Sequence, residues 1–374
     1  MMNRRHFSVA AGAAALGGFQ LARAQGEAPL VLGQSAPFTG PAAQLGIQFH
    51  QGAKLFLDQY NAQSGRRAVV IKNLDDGYEP DRCAANTQKL IEEDVFALFG
   101  YIGTPTSLAA LPLAVKDKVP FIAPFTGAMS LREPFHKNVF HLRASYNDET
   151  ALIVKQLTHL HLKKIAVFYQ NDAYGKAGLD GVTLALSQQD LKPLALATVE
   201  RNSVDVAAAV KTIVAAKPDA VVQVGAYKAC AAFIRQARKA GYGGTFFNVS
   251  FVGTQALADE LGKDGAGVMV TQVVPSPYNP ANAITREFSD AVKKAGAASS
   301  ANFSSLEGYL AAKVLTEGLR RAPGKLSRDS LIAGLESIDR QQFGGFEVSF
   351  SPKNHVASKF VELSMITADG RVRT

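Results

Sequence analysis

The chain has 374 residues and only two cysteines, Cys83 and Cys230. They lie far apart on separate expected helices, so no disulfide framework organises the fold. The reading is two buried thiols, with a single disulfide as the alternative in an oxidising compartment. No apolar stretch is long enough to form a membrane-spanning helix. The formal charge of +8 comes without a clustered Lys/Arg stripe, which excludes a dedicated nucleic-acid binder. No long low-complexity tract interrupts a composition that is 47% hydrophobic and 19% charged.

Enzyme signatures are also missing. There is no G-x-S-x-G, no G-x-x-x-x-G-K-[ST] and no H-E-x-x-H, and "GYIG" at 100–103 does not extend to G-x-G-x-x-G. His159 and His161 are two residues apart on an expected helix, so they face different ways and make a poor metal pair. No catalytic residue, metal site or cofactor is expected.

What is present begins with an export signal over residues 1–24. Arg4 and Arg5 precede Phe7 and the weakly apolar run "SVAAGAAALGGF", and Ala22-Arg23-Ala24 forms an A-x-A cleavage pattern. The paired arginines resemble a twin-arginine signal, with a general secretory signal as the alternative. No cysteine stands at the cleavage point, so a lipoprotein is not expected. Loss of the three signal arginines lowers the formal charge from +8 to +5. The mature chain, from about Gln25, is expected in the periplasm.

From residue 30 short apolar strands alternate with amphipathic helices. "LVLGQSA", "AVVIKNL", "VFALFGY", "VPFIAP" and "NVFHLRA" form one series; "KKIAVFY", "PLALATV", "DAVVQVG", "GTFFNVS" and "GAGVMVTQVV" form a second. This succession predicts an α/β fold of two doubly wound parallel-sheet lobes joined by a hinge. Later helical patterns over about 281–296 and 304–321, and a third from near Ser327, imply that the chain crosses between lobes more than once. The expected division is 25–144 with 276–345 as the N-terminal lobe, and 145–275 with 346–374 as the C-terminal lobe.

Open parallel sheets bind ligands beyond the carboxyl ends of their strands. Six loops at such ends carry hydroxyls, glycines and aromatics: "PFTGPAAQLG", "GTPTS" and "PFTGA" in the first lobe, "QNDAYGKAG", "GAYKA" and "NVSFVGT" in the second. Their convergence on one cleft points to a binding site. In "GTPTS" Thr104 is the expected N-cap and Pro105 the first helical residue, so the segment is either a well-capped helix start or an anion socket made of free N–H groups.

The segments "GQSAPFTGPAAQLGIQFHQGAKLFLDQYNAQSG", "GTPTSLAALPLAVKDKVPFIAPFTGA" and "QNDAYGKAG" resemble the type I periplasmic binding proteins of the leucine/isoleucine/valine-binding family, receptors of ABC importers. The resemblance implies two lobes joined by three crossovers that close on a small ligand. It implies that Thr104, Thr126 and the Gly127 amide hold the ligand carboxylate. Leu45, Phe125, Tyr174 and Tyr227 would enclose its apolar body. It also implies a monomer that delivers its ligand to an inner-membrane ABC permease. Ser250 stands where leucine-binding members place the glutamate that pairs with the ligand ammonium. A buried ammonium without a counter-charge is expensive. The expectation is therefore a carboxylate lacking the amino group, such as an aromatic acid or a branched keto acid, with Ser250 offering a hydroxyl. An amino-acid receptor is the alternative if Asp148 or Asp172 replaces the glutamate. Both acids also read as ordinary helix-start and turn residues. A ligand sensor shares the same binding chemistry, and a hydrolase on this fold would need a histidine that none of the six loops contains.

Overall fold

The computed structural model describes residues 27–63, 67–296 and 301–374; the export signal expected at 1–24 lies outside the described residues. The first apolar series builds strands β1 (Leu30–Ala36), β2 (Val69–Asp75), β3 (Ala97–Phe99), β4 (Phe121–Ile122) and β5 (Val139–Phe140). They form a wholly parallel sheet in the order β2-β1-β3-β4-β5. Helices α1 (Ala43–Asn61), α2 (Pro80–Glu92) and α3 (Thr104–Lys116) connect its first four strands.

The chain then enters α4 (Tyr146–His159) and repeats the design. Strands β6 (Ile165–Gln170), β7 (Leu196–Val199), β8 (Ala220–Val224), β9 (Thr245–Asn248) and β10 (Met269–Gln272) alternate with α5 (Ala173–Ser187), α6 (Ala207–Ala216), α7 (Tyr227–Lys239) and α8 (Thr254–Leu261). Their order, β7-β6-β8-β9-β10, is that of the first sheet. The same winding in both lobes puts a reversal of strand order between β1 and β3, and again between β6 and β8, where the crevice of an open sheet lies.

The chain returns to the first lobe through α9 (Ala283–Lys294), α10 (Phe303–Arg321), α11 (Arg328–Glu336) and the hairpin β11 (Gln341–Phe343) and β12 (Phe346–Val348). Gly52 and Gly308 let α1 and α10 meet at backbone distance. A Cβ on Gly52 would fall 1.7 Å from Ser305 O, and one on Gly308 would fall 2.0 Å from Phe49 O. The chain finally crosses to antiparallel strands β13 (Glu362–Ile366) and β14 (Val372–Arg373) at the edge of the second sheet.

One expected boundary moves. Residues 346–357, placed by the sequence reading with the C-terminal lobe, lie against β5. His141 N–H donates to His355 O at 2.8 Å, Ala357 N–H to His141 O at 2.8 Å, and Phe350 packs edge-on against Phe140 at 5.2 Å. Alternating apolar residues in a tail cannot show which sheet edge they will join. Cys83 and Cys230 are buried, free thiols in different lobes.

Candidate functional site

The helix start expected at residues 103–107 forms, with one shift. The N-cap is Gly103, at φ 97°, and Thr104 and Pro105 are the first two helical residues. That positive φ favours glycine, and a Cβ there would also strike the Tyr78 ring at 2.2 Å. Gly103 N–H is tied to Phe125 O at 3.2 Å and Phe125 N–H to Tyr101 O at 2.7 Å, which fixes the loop after β4 beside the start of α3. Thr104 and Thr126 therefore meet, with hydroxyl oxygens 2.6 Å apart and both side chains buried. Ala128 N–H donates to Thr126 Oγ1 at 3.2 Å. Thr106 turns away and donates to the carbonyls of Ile102 and Gly103, while Ser107 Oγ is buried without a partner.

Tyr146, at the start of α4, completes this wall. Its N–H donates to Gly127 O at 2.8 Å, and a Cβ on Gly127 would come within 2.6 Å of the ring. The Tyr146 hydroxyl is buried beside the Thr126 side chain and the Gly127 amide, and makes no hydrogen bond of good geometry. Burial pushes its pKa up to about 12, with the Arg143 charge opposing.

The opposite wall is aromatic. Phe251 packs on Tyr174 at 4.4 Å, on Phe125 at 5.8 Å and on Tyr78 at 5.9 Å, and Tyr146 meets Tyr174 at 5.5 Å. Tyr174 Oη donates to Gly225 O at 3.4 Å. Leu45 reaches across to Gly253, where an added Cβ would lie 2.5 Å from Leu45 Cδ2. Tyr227 stands apart from these rings. It lines a cavity of about 450 Å³ with Gln44, Lys228, Ala256, Asp259 and Glu260.

Ser250 is not an isolated hydroxyl. Its N–H and Oγ donate to Glu149 at 2.7 and 3.1 Å, the Thr271 hydroxyl also donates to Glu149, and Arg143 Nη1 donates to Ser250 Oγ at 3.2 Å. Arg143 in turn makes a two-pronged pair with Glu307, at 2.8 and 2.7 Å, with its guanidinium carbon 3.9 Å from the Phe125 ring centre. Burial works to lower the Arg143 pKa, but the Glu307 carboxylate outweighs it and holds the guanidinium above the usual arginine value. Burial raises the Glu149 pKa, against the Arg143 charge and the hydrogen bonds from Ser250 and Thr271.

The acids considered as stand-ins for the family glutamate are otherwise occupied. Asp148 closes a capping box with Ser145, and Asp172 caps α5 through Tyr174 N–H at 3.0 Å and Gly175 N–H at 3.4 Å. The carboxylate beside Ser250 is that of Glu149, one residue on from Asp148, and sequence reasoning missed it. So too were Tyr78, Tyr146, Phe251 and the Arg143–Glu307 pair. A signal for Glu149 existed: it shares the buried face of α4 with Tyr146, Ile153 and Leu157, where an acid needs a buried partner.

Two sheets wound alike, joined by three crossovers and facing each other across strand-end loops, are the frame into which the comparisons with known proteins fall. The family model described as periplasmic binding protein matches residues 29–371. The chain belongs to that family, as a type I member of its leucine/isoleucine/valine-binding branch. A solved structure of a possible leucine/isoleucine/valine-binding protein from Rhodopirellula baltica SH 1 superposes with a TM-score of 0.86 at 35% identity, covering 92% of this chain and 96% of that one. The Leu/Ile/Val-binding protein homolog 7 of Brucella abortus is 25% identical over 82% of this chain and 80% of its own length. An ABC-transporter solute-binding protein from R. palustris, solved in complex with benzoate, shares the fold with a TM-score of 0.82 at 20% identity, over 92% of this chain and 95% of that one. This type I periplasmic binding protein is thus of the kind that captures a small ligand for an ABC importer. No helix among its described residues is long and apolar enough to cross a membrane.

Proposed function

We propose that this periplasmic binding protein captures a small carboxylate with an apolar body, an aromatic acid or a branched keto acid, and delivers it to an inner-membrane ABC permease. The observation that carries this reading is the wall made by Thr104, Thr126, Tyr146 and the Gly127 amide, which faces the rings of Tyr174 and Phe251. Hydroxyls and a helix start suit a carboxylate, and the rings suit an apolar group. Phe125 and Leu45 extend the apolar lining. Tyr227 lies outside this lining, in the cavity it shares with Gln44, and the Ser250 hydroxyl is held between Glu149 and Arg143. Closure of the lobes removes the ligand from water and strengthens each hydrogen bond.

The second reading, an α-amino acid, is favoured by Glu149, whose carboxylate lies hydrogen-bonded beside Ser250 and could meet an ammonium there. Thermal-shift and calorimetric titrations with matched pairs separate the two: benzoate and 4-methyl-2-oxopentanoate against phenylalanine and leucine. Binding of the amine-free acids alone supports the first reading; binding of leucine or phenylalanine alone replaces it with the second. In either case Thr104→Ala with Thr126→Ala removes hydrogen bonds to a charged group, each worth ~1.5–3 kcal/mol. The expected affinity loss is at least ~100-fold without unfolding. Retained affinity in that double variant rules out the socket.

A further inference from the structure

The second strand of each lobe stands at an edge of its sheet, β2 beside β1 and β7 beside β6. An edge presents unpaired N–H and C=O groups to any strand that can reach them, and proteins commonly blunt it with charge. The edge at β2 is blunted in this way, with Lys72 and Asn73 exposed at the middle of the strand. The edge at β7 is not. Along residues 192–200 every second side chain is exposed, in the order Lys192, Leu194, Leu196, Thr198 and Glu200, while those between are half-buried or buried. Leu194 and Leu196 are 45% and 46% exposed although both are apolar.

The main chain follows the same alternation. Val167 N–H donates to Ala195 O at 2.9 Å and Asn171 N–H to Val199 O at 2.8 Å, so the odd-numbered residues turn toward β6 and the main-chain groups of Leu196 and Thr198 face outward. This edge is its own complement. In an antiparallel pair centred on Leu196, Lys192 of one copy falls opposite Glu200 of the other, Leu194 opposite Thr198, and Leu196 opposite itself. Asn171 Nδ2 donates to Glu200 Oε1 at 2.8 Å, which holds that carboxylate at the end of the strand. The register that matches the charges also sets the two outward-facing Leu196 residues to exchange N–H···O bonds. A slip of one residue would set outward-facing groups against groups already bonded to β6.

We propose that β7 pairs with β7 of a second copy of this chain about a two-fold axis at Leu196, giving a homodimer in which one sheet runs through both second lobes. This departs from the monomer that the family resemblance implies. The pairing covers Leu194 and Leu196 and joins Lys192 to Glu200 at each end. Glu200 leads directly into Arg201 and Asn202, which bridge to Glu79 and Gly77 of the first lobe. The dimer therefore holds the strand from which that bridge between lobes is made.

Sedimentation velocity of the mature chain, from micromolar to several hundred micromolar, should show a dimer that grows with concentration. Lys192→Glu sets like charges together at both ends of the pairing and should weaken the dimer several-fold. Adding Glu200→Lys makes the charges opposite again and should restore it. Leu196→Cys checks the geometry, because Cα atoms in a directly hydrogen-bonded antiparallel pair lie about 5.5 Å apart, within disulfide range. Under mild oxidation that variant should form a covalent dimer, and Thr198→Cys, whose counterpart is Leu194, should not. Cys83 and Cys230 are buried and do not interfere. A chain that stays monomeric at every concentration overturns the proposal. So does a dimer that the doubly reversed variant fails to restore, and so does cross-linking through Thr198→Cys as readily as through Leu196→Cys.

Discussion

Charge gathers at the junction of the two lobes in two places that could hardly differ more, a buried pair within the first lobe that reaches the second through Ser250, and an exposed pair that spans the lobes. At the hinge, Arg143 and Glu307 form a two-pronged pair whose side chains are 1% and 4% exposed, roofed by Phe125 and continued through Ser250 to Glu149. At the rim, Arg201 Nη2 meets Glu79 Oε2 at 3.0 Å with side chains 25% and 42% exposed, and Asn202 Nδ2 adds bonds to Glu79 Oε1 at 2.7 Å and Gly77 O at 3.0 Å. Burial makes the first pair costly to break, whereas water and salt make the second easy to open. A receptor that must close and reopen needs that asymmetry, with a fixed pivot and a releasable clasp.

The hinge is where the largest effect is expected. Arg143→Met leaves Glu307 as a buried, unpaired carboxylate, and breaking a buried pair in this way costs ~3–5 kcal/mol. The double variant Arg143→Met with Glu307→Met removes both charges and should recover much of that loss. Denaturant titration of the single and double variants decides the point. If the double variant is as unstable as the single, the pair acts through shape rather than charge, and the contrast with the rim collapses.

An intermediate effect sharpens the comparison, because a buried acid sits directly beneath the rim. Asp76 accepts from Ser35 Oγ at 2.8 Å and from Tyr78 N–H at 2.8 Å, holding Tyr78 at φ 64° with its ring against Phe251. Burial raises its pKa from 3.8 to about 6, with the hydrogen bonds from Ser35 and Tyr78 opposing. A carboxyl whose pKa is higher in the folded than in the unfolded state binds its proton more tightly when folded. Its contribution to stability therefore improves as pH falls through 6 and levels off below about 4, where the unfolded chain is protonated as well. The neighbouring Asp75 is shifted the other way, to about 2, and acts only at lower pH. The stability of the native chain relative to Asp76→Asn should rise between pH 7 and 4.5 by on the order of 1–3 kcal/mol. A flat difference over that range would show that Asp76 is solvated, and that Tyr78 is not held by a buried charge.

The repeated winding of the lobes was legible in the sequence because strand and helix periods are local properties. Thr104, Thr126, Phe125 and Tyr174 were legible because they follow strand ends, where an open sheet presents its loops. The pivot was not. Arg143 and Glu307 are 164 residues apart, and nothing near either one announces the other. Phe251 and Tyr78 read as ordinary loop aromatics until the lobes meet and place them ring to ring. Glu149 was hidden by its neighbours: "SYNDET" has the composition of a helix start, which Ser145 and Asp148 do make, and the buried acid follows directly behind the cap. Local chemistry explained the segment so fully that its long-range partners Ser250 and Thr271 went unsuspected.

The smallest effect is expected at the clasp itself. Exposed ion pairs contribute ~0.2–1 kcal/mol, so Glu79→Ala with Arg201→Ala should barely change global stability. The clasp joins Gly77 and Glu79 of one lobe to Arg201 and Asn202 of the other, so its loss acts on the equilibrium between closed and open forms. A change of ~1 kcal/mol shifts that ratio about fivefold. Small-angle scattering of the ligand-free protein should register the shift as a larger radius of gyration. The native chain should move in the same direction on raising salt from 0.05 to 0.5 M, because exposed charges are screened over a few ångströms at such strengths. The hinge pair, shielded from solvent, should not respond to salt. A variant that opens no further than the native protein, or a native protein indifferent to salt, would show that closure rests on the packing of Phe251 against Tyr78 and Tyr174, and that the charges at the rim follow the closure without driving it.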